Sequence, residues 1–210
     1  EKYTASIERE KTNGITHDMG FKVYCSFGSG YRLTNDAHYK EVIIQSAKTL
    51  STRFNPNTGV IKSWDNRAKW KTPVIIDNMM NLELLFFASK VTGDTSFRHI
   101  AVTHAENTIK NQVRKDYSSY HVVCYDTITG QVAGRETAQG YADNSTWARG
   151  QAWGIYGFTM IYRETGDKRF LETAKKMADF YMTHKNLPSD KIPYWDFNVN
   201  QEGYTPDWKY

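Results

Sequence analysis

The sequence has few of the residues and patterns that mark the more specialised classes of protein. It contains only two cysteines, Cys25 and Cys124, too few for a disulfide framework, so we expect two buried free thiols. No apolar run approaches the roughly 18 residues of a membrane-spanning helix. No Lys/Arg run is dense enough for nucleic-acid binding, although the net charge is +4. The sequence therefore predicts neither a membrane partner nor a nucleic-acid partner.

Motifs for metals, phosphates and nucleophiles are also missing. No Cys/His cluster has zinc spacing, and no carboxylate run resembles a calcium-binding loop. There is no glycine-rich phosphate loop and no Ser/His/Asp system. We therefore expect no metal and no cofactor.

The beginning of the sequence gives little information about its compartment. No signal peptide is present, and the first residue is Glu1 rather than Met. We expect that the chain was trimmed or begins inside a longer gene product, so the missing targeting signal says little.

The composition is that of a globular protein, with 40% hydrophobic and 24% charged residues. The length of 210 residues predicts a single domain, 1–210, with a substantial core. Aromatic residues make up 14% of the chain. Such a content fits either sugar binding, where rings stack on sugar faces, or a large aromatic core.

A repeated helical pattern follows three aspartates, Asp36, Asp94 and Asp167. An aromatic residue comes three positions after each Asp, and small or apolar residues come seven and eleven positions after it, which is one face of a helix. Each Asp is a suitable N-cap. The residues on this face are Tyr39, Ile43 and Ala47, then Phe97, Ala101 and Ala105, then Phe170, Ala174 and Ala178.

A more apolar segment precedes each of these helices, at residues 19–31, 74–91 and 147–162. A helix that is apolar all round is buried all round, and Gly154 and Gly157 allow close packing in the third. The order predicts three hairpins, each with a buried inner helix and an amphipathic outer helix, in a solenoid or closed toroid. Residues 118–137 interrupt the pattern and predict a small β-hairpin.

Asp18 and Asp77 occupy equivalent positions at the start of the first two inner helices. In a toroid these helix starts gather at one end of the cavity, so the two carboxylates could face each other. Asp77 lies among Ile75, Ile76 and Met79, and its burial would raise the pKa of a general acid. The alternative is that both aspartates are only N-caps.

The segment from Tyr141 to Trp153 is dense in functional groups. If Ser145 caps a helix, Arg149 and Trp153 share one face at i, i+4. An arginine beside an aromatic plate suits a carboxylate or sulfate on a sugar ring. Alternatively, the tryptophans are core residues and Arg149 forms a structural ion pair.

Several motifs together resemble glycoside hydrolase family 88, the unsaturated glucuronyl hydrolases. The matching segments are 17–21, 75–81, 92–94, 139–143 and 147–153. The resemblance implies an all-α fold, an (α/α) toroid of six helical hairpins, of which about half is present here with a small β-hairpin insertion. It further implies a catalytic domain that is incomplete at both ends.

The resemblance also implies an activity. Members of this family are hydrolases that remove the 4,5-unsaturated uronic acid from the non-reducing end of lyase-generated, glycosaminoglycan-type oligosaccharides. An acid protonates C4, water adds at C5, and the hemiketal opens to release the next sugar. By this resemblance the compartment would be the periplasm or cytoplasm of a polysaccharide-degrading bacterium, with the periplasm slightly favoured.

The same resemblance assigns site residues. Asp77 matches the general acid/base, and Asp18 matches the second essential aspartate. Asp143 would be a cap or a ligand contact, and Ala138 departs from the His that the family often has there. The substrate-binding positions implied by the family are His17, His121, Gln139, Trp147, Arg149 and Trp153.

Two alternative functions stay open. The first is an unsaturated rhamnogalacturonyl hydrolase acting on pectin fragments, although the 150–153 segment favours the glucuronyl type. The second is a non-catalytic toroid that binds acidic sugars. The segment 198–210 differs from the family's usual continuation and is predicted to be an inserted loop.

Overall fold

The fold is built from three helical hairpins, as the repeat predicts. It was obtained as a computed structural model that describes residues 4–65 and 72–199. The predicted loop at 198–210 lies outside the described residues from 200 onwards. A short 3-10 helix, Ala5–Thr12, precedes the hairpins.

Each hairpin pairs an inner helix with an outer helix. The first inner helix is a π-helix, Gly20–Gly28, that continues as α1, Ser29–Thr34. The second is a 3-10 turn, Ile76–Asn81, that continues as α3, Leu82–Thr92, and the third is α5, Ala148–Thr165. The outer helices are α2, Ala37–Ser51, α4, Thr95–Asn111, and α6, Lys168–Thr183.

The three repeated aspartates begin the outer helices. Asp36 accepts a hydrogen bond from the backbone N–H of His38, and Asp94 accepts one from that of Ser96, both at 2.8 Å. Asp167 accepts the equivalent bond at 2.9 Å. Each cap satisfies a backbone donor that the first helical turn leaves unpaired. The predicted N-caps are therefore confirmed.

The main core lies between the inner and outer helices. The predicted outer-helix face is buried at seven of its nine positions, whereas Tyr39 and Ala178 are only half-buried. α3 contacts both the π-helix and α5, so the inner helices lie side by side. Inner and outer helices share one hydrophobic cluster, which is the packing expected of an (α/α) toroid segment.

Two small antiparallel sheets connect the hairpins. Strands β1, Phe54–Asn55, and β2, Val60–Ile61, form one hairpin. The other sheet has the order β3-β4-β5, with β3 at Thr72–Ile75, β4 at Val122–Tyr125 and β5 at Val132–Glu136. The predicted hairpin within 118–137 is confirmed.

The predicted extent of the second inner helix is wrong at its start. Val74 lies in β3 opposite Val123 of β4, and the helix begins only at Ile76. A short apolar run is compatible with a buried strand as well as with a buried helix. Val74 belongs to a strand because it pairs with β4, which follows more than forty residues later in the chain.

The starts of the first two inner helices are joined by Asn81. Its Oδ1 accepts hydrogen bonds from the backbone N–H groups of Gly20, at 2.8 Å, and Phe21, at 3.2 Å. A Cβ on Gly20 would lie 2.5 Å from the Asn81 Cα, so only glycine permits this approach.

The cysteine expectation is half correct. Cys124 is buried, as expected, but Cys25 is exposed on the π-helix. Among the described residues, no helix is both long and apolar enough to cross a membrane.

The close packing of α5 can be tested with two glycine substitutions. A Cβ at Gly157 would overlap the Met79 Cβ, whereas a Cβ at Gly154 would meet only the movable tip of Met177. We expect Gly157→Ala to destabilise the fold by about 1–3 kcal/mol in urea unfolding. The matched control Gly154→Ala should stay within about 1 kcal/mol of the parent, because its helix propensity improves. Equal stability of the two variants would contradict the packing described.

Candidate active site

Asp77 lies at the start of the second inner helix, largely enclosed by the apolar residues around it. Its Oδ2 is buried and has no hydrogen-bond partner among the described residues. Burial raises the pKa of Asp77 to about 6, opposed by a hydrogen bond from its own backbone and by the charge of Arg149. The charge of Asp18 raises that pKa further. A carboxyl group in this state can donate a proton near neutral pH.

Asp18 approaches Asp77 from the first hairpin, which places the two predicted carboxylates in one site. The Asp18 side chain is 39% exposed, while the neighbouring His17 side chain is only 3% exposed. Asp18 is therefore open to a ligand, and His17 lies behind it. Neither aspartate caps its helix, so the alternative that they serve only as N-caps is not supported.

The end of β2 and the loop that follows it, residues 61–63, hold the neighbours of both aspartates. The Ser63 carbonyl accepts a hydrogen bond from His17 Nδ1 at 2.8 Å. Asn78, next to Asp77, donates to the Ile61 carbonyl at 2.7 Å and to Ser63 Oγ at 3.1 Å. The neighbours of the two carboxylates are thus held by the same loop.

Arg149 and its partners form a wall beside the aspartates. The guanidinium lies 4.6 Å from the Trp147 ring centroid, and Nη2 donates to Gln139 Oε1 at 2.6 Å. Arg149 is exposed and forms no ion pair with any carboxylate that the structure describes. The alternative of a structural ion pair for Arg149 is therefore not supported, and donors remain for an anionic ligand.

His121 supports this wall from behind. Its ring lies 4.4 Å from that of Trp147, and its Nδ1 accepts hydrogen bonds from the backbone N–H groups of Ala138 and Gln139. His121 and Trp147 are 3% and 6% exposed. Both side chains are thus mainly packing elements that fix Gln139 and Arg149, and their direct contact with a ligand stays a prediction.

The remaining predicted residues lie around this centre. Trp153 is half-buried and packs edge-on against Phe21 of the first inner helix, at 5.1 Å between centroids. Asp143 is exposed and accepts a hydrogen bond from the Thr137 backbone at 2.9 Å. It does not cap α5, which starts at Ala148, so only its predicted ligand contact stays open.

Asp196 is a central residue that the sequence reading missed. It is fully buried, and its Oδ2 accepts hydrogen bonds from Ser145 Oγ at 2.6 Å and the Tyr141 N–H at 2.9 Å. Ser145 therefore does not cap α5, contrary to expectation, because Asp196 engages its hydroxyl. The available signal was an isolated acid within the aromatic run 194–197.

The asparagines at the second inner helix were also missed. Asn78 and Asn81 are fully buried inside an otherwise apolar segment. A polar residue in such a segment usually has a required hydrogen-bond partner. That pattern could have indicated a connection, but not which loop or helix it joins.

Two other features do not define the site. A cavity of about 610 Å³ lies near β1 and β2, lined by residues that include Arg53, and not at Asp77. Arg53 already donates to Asp65 and to backbone carbonyls. Within 4–65 and 72–199, no three His, Cys, Asp or Glu side chains converge as a metal site would require.

Comparison with known proteins gives consistent matches. Residues 7–185 match the family model Glycosyl Hydrolase Family 88. An unsaturated glucuronyl hydrolase of Formosa agariphila is 56% identical over 200 residues, covering 94% of this chain and 50% of that protein. An unsaturated chondroitin disaccharide hydrolase of Streptococcus agalactiae is 39% identical over 181 residues, covering 86% and 45%.

A solved structure confirms the fold. The crystal structure of an unsaturated glucuronyl hydrolase specific for heparin matches with a TM-score of 0.92 and 50% identity, covering 94% of this chain and 53% of that one. The chain spans about half the length of the curated relatives it matches.

Asp196 provides a test of how the wall is held. We expect Asp196→Asn to destabilise the protein by about 2–3 kcal/mol, because an amide donor would face backbone and hydroxyl donors in a buried site. Urea unfolding measures the change. Asp190→Asn is the matched control, since exposed Asp190 accepts a single backbone hydrogen bond in the same loop. Similar effects from both substitutions would contradict the role of Asp196.

Proposed function

The chain belongs to glycosyl hydrolase family 88, and on this premise we propose that its site hydrolyses the 4,5-unsaturated uronic acid at the non-reducing end of lyase-generated oligosaccharides. The observation with most weight is Asp77, a largely buried carboxyl group with a pKa near 6, beside a second carboxylate and an arginine. This arrangement provides a proton donor and an anion-binding group together.

The proposed chemistry begins with proton transfer. Asp77 protonates C4 of the C4=C5 vinyl ether, and positive charge develops at C5 and the ring oxygen. Water adds at C5 and loses a proton to the Asp77 carboxylate, which restores the acid. The resulting hemiketal opens, and the next sugar is released. Because the anomeric carbon is not attacked, the carboxylate separations of ordinary glycosidases do not apply.

The wall residues would bind and orient the sugar. Arg149 would pair with the uronate carboxylate, with Gln139 fixing one edge of the guanidinium and Trp147 its face. Asp18 would accept sugar hydroxyl hydrogens and hold the ring against Asp77. Trp153 would provide an aromatic surface for the sugar.

Glycosaminoglycan fragments are the proposed substrate class. Two of the similar proteins act, by name, on heparin and on chondroitin disaccharide. A net charge of +4 fits anionic oligosaccharides. The three hairpins share one core, which supports their assignment to one catalytic domain. We place the protein with the lyases that supply its substrate, in a bacterial periplasm or cytoplasm.

Replacement of Asp77 tests the assignment. We expect Asp77→Asn to lower kcat at least about 100-fold, because an amide cannot donate the required proton. The assay is the loss of ultraviolet absorbance of the double bond in unsaturated chondroitin and heparin disaccharides. Asp94→Asn is the control and should keep its activity, because asparagine is also a good N-cap. Near-normal turnover by Asp77→Asn would refute the proposal.

The same variant tests the desolvation of Asp77. Its folded-state pKa, about 6, exceeds the ordinary value of 3.8, so the unfolded carboxyl group ionises first as pH rises. The parent should therefore lose about 1–2 kcal/mol of stability between about pH 4 and 6 relative to Asp77→Asn. Urea unfolding at several pH values measures the difference. Asp94, whose pKa is lowered, should give the opposite sign in Asp94→Asn. A pH-independent difference for Asp77→Asn would show that Asp77 is not desolvated.

A further inference from the structure

The position of His17 differs from that of a sugar contact. Its side chain is 3% exposed, whereas the adjacent Asp18 side chain is 39% exposed. A ligand that enters the site would therefore meet Asp18 first. The ring of His17 is held from behind by the Ser63 carbonyl.

The hydrogen bond to Ser63 determines which ring nitrogen is protonated. A carbonyl oxygen only accepts, so His17 Nδ1, at 2.8 Å, must be the donor. The other nitrogen, Nε2, lies 3.1 Å from Asp18 Oδ1. Nε2 is buried and has no other partner among the described residues.

A shared proton would stabilise this contact. A neutral ring with its proton on Nδ1 would direct the Nε2 lone pair at a carboxylate oxygen, which is repulsive. One further proton, held by either residue, makes the contact attractive and leaves the pair with no net charge. The contact has the distance of an ion pair without the alignment of a hydrogen bond.

The other charged groups around His17 do not replace this partner. Burial lowers the pKa of His17, the Asp18 charge opposes that change only in part, and Arg53 and Lys22 lower the pKa further, so the shared proton is lost as pH rises. Arg53 is occupied by Asp65 and by backbone carbonyls. His104 of α4 is neutral, since burial lowers its pKa to about 3, and its Nδ1 accepts from the Ile61 backbone.

We propose that His17 is a positioning residue that holds the Asp18 carboxylate through one shared proton and so limits the negative charge that Asp77 faces. This inference rests on the proposed function of Asp77. Burial is the main cause of the raised pKa of Asp77 and the Asp18 charge adds to it, so the charge of the His17/Asp18 pair shifts the pH at which Asp77 loses its proton. His17 itself makes no contact with the sugar.

Two substitutions distinguish the roles of the two ring nitrogens of His17. The amide of His17→Asn reaches the Nδ1 position, so this variant keeps the hydrogen bond to Ser63 and loses the contact with Asp18. The amide of His17→Gln reaches the Nε2 position and offers Asp18 a neutral donor. The matched controls are His38→Asn and His38→Gln, because exposed His38 forms a similar pair with Glu8 at 2.9 Å outside the site.

We expect His17→Asn to lower kcat about 10- to 100-fold with little change in KM, because the Asp18 carboxylate is no longer held. His17→Gln should recover part of this loss. In both variants the basic limb of the pH profile should move upward by about half a pH unit or more, since an uncompensated Asp18 charge raises the pKa of Asp77. The His38 variants should match the parent.

Several outcomes would overturn the inference while leaving the proposed function intact. One is an active His17→Asn variant with the parent's kcat and pH profile. Another is a rise in KM alone, which would indicate a direct sugar contact. If the parent itself fails to act on unsaturated disaccharides, the proposed function fails instead.

A measurement independent of activity then decides the position of the proton. Long-range 1H–15N NMR of the parent should show His17 protonated at Nδ1, and Asp18→Asn should shift its Nε2 resonance. A His17 ring without a proton on Nδ1, or an Nε2 signal unchanged in Asp18→Asn, would refute the shared proton.

Discussion

The site depends on one constraint, the close approach of the first two inner helices at Gly20 and Asn81. The Asn81 amide oxygen accepts hydrogen bonds from two backbone N–H groups of the opposing helix, and the lack of a Cβ on Gly20 allows the contact. Because the helix starts are fixed in this way, Asp18 and Asp77 come close enough to interact electrostatically. Burial is the main cause of the raised pKa of Asp77, and without that approach the added contribution of the Asp18 charge would be lost.

The raised pKa of Asp77 favours proton donation but lowers the stability of the folded protein. A carboxyl group with an elevated pKa makes the folded state less stable at neutral pH, since the unfolded chain ionises more easily. A hydrogen-bonded polar scaffold surrounds the site. Ser63 and Asn78 are buried and hydrogen-bonded, and Asp196 anchors the loop beneath the wall of Arg149 and Gln139. Rigid supports of this kind keep catalytic groups in place without moving when charge develops.

Local sequence signals predicted the local structure well. The aspartate caps and the faces of the outer helices follow from interactions within a few residues, so Asp36, Asp94 and Asp167 could be assigned directly. These local signals failed where a residue distant in the chain determined the structure. Val74 joined a strand because β4 pairs with it, and the Ser145 hydroxyl bonds Asp196 rather than a helix end.

The sequence by itself determined the hairpin repeat, the family resemblance and the identity of the residues able to do chemistry, because periodicity, capping and motif order are properties of the chain. The tertiary structure decided what those residues do. It buried Asp77, placed His17 behind Asp18, and made His121 and Trp147 supports for Arg149 and Gln139. Burial, charge proximity and hydrogen-bond direction depend on which segments meet in space, and no spacing along the chain specifies them.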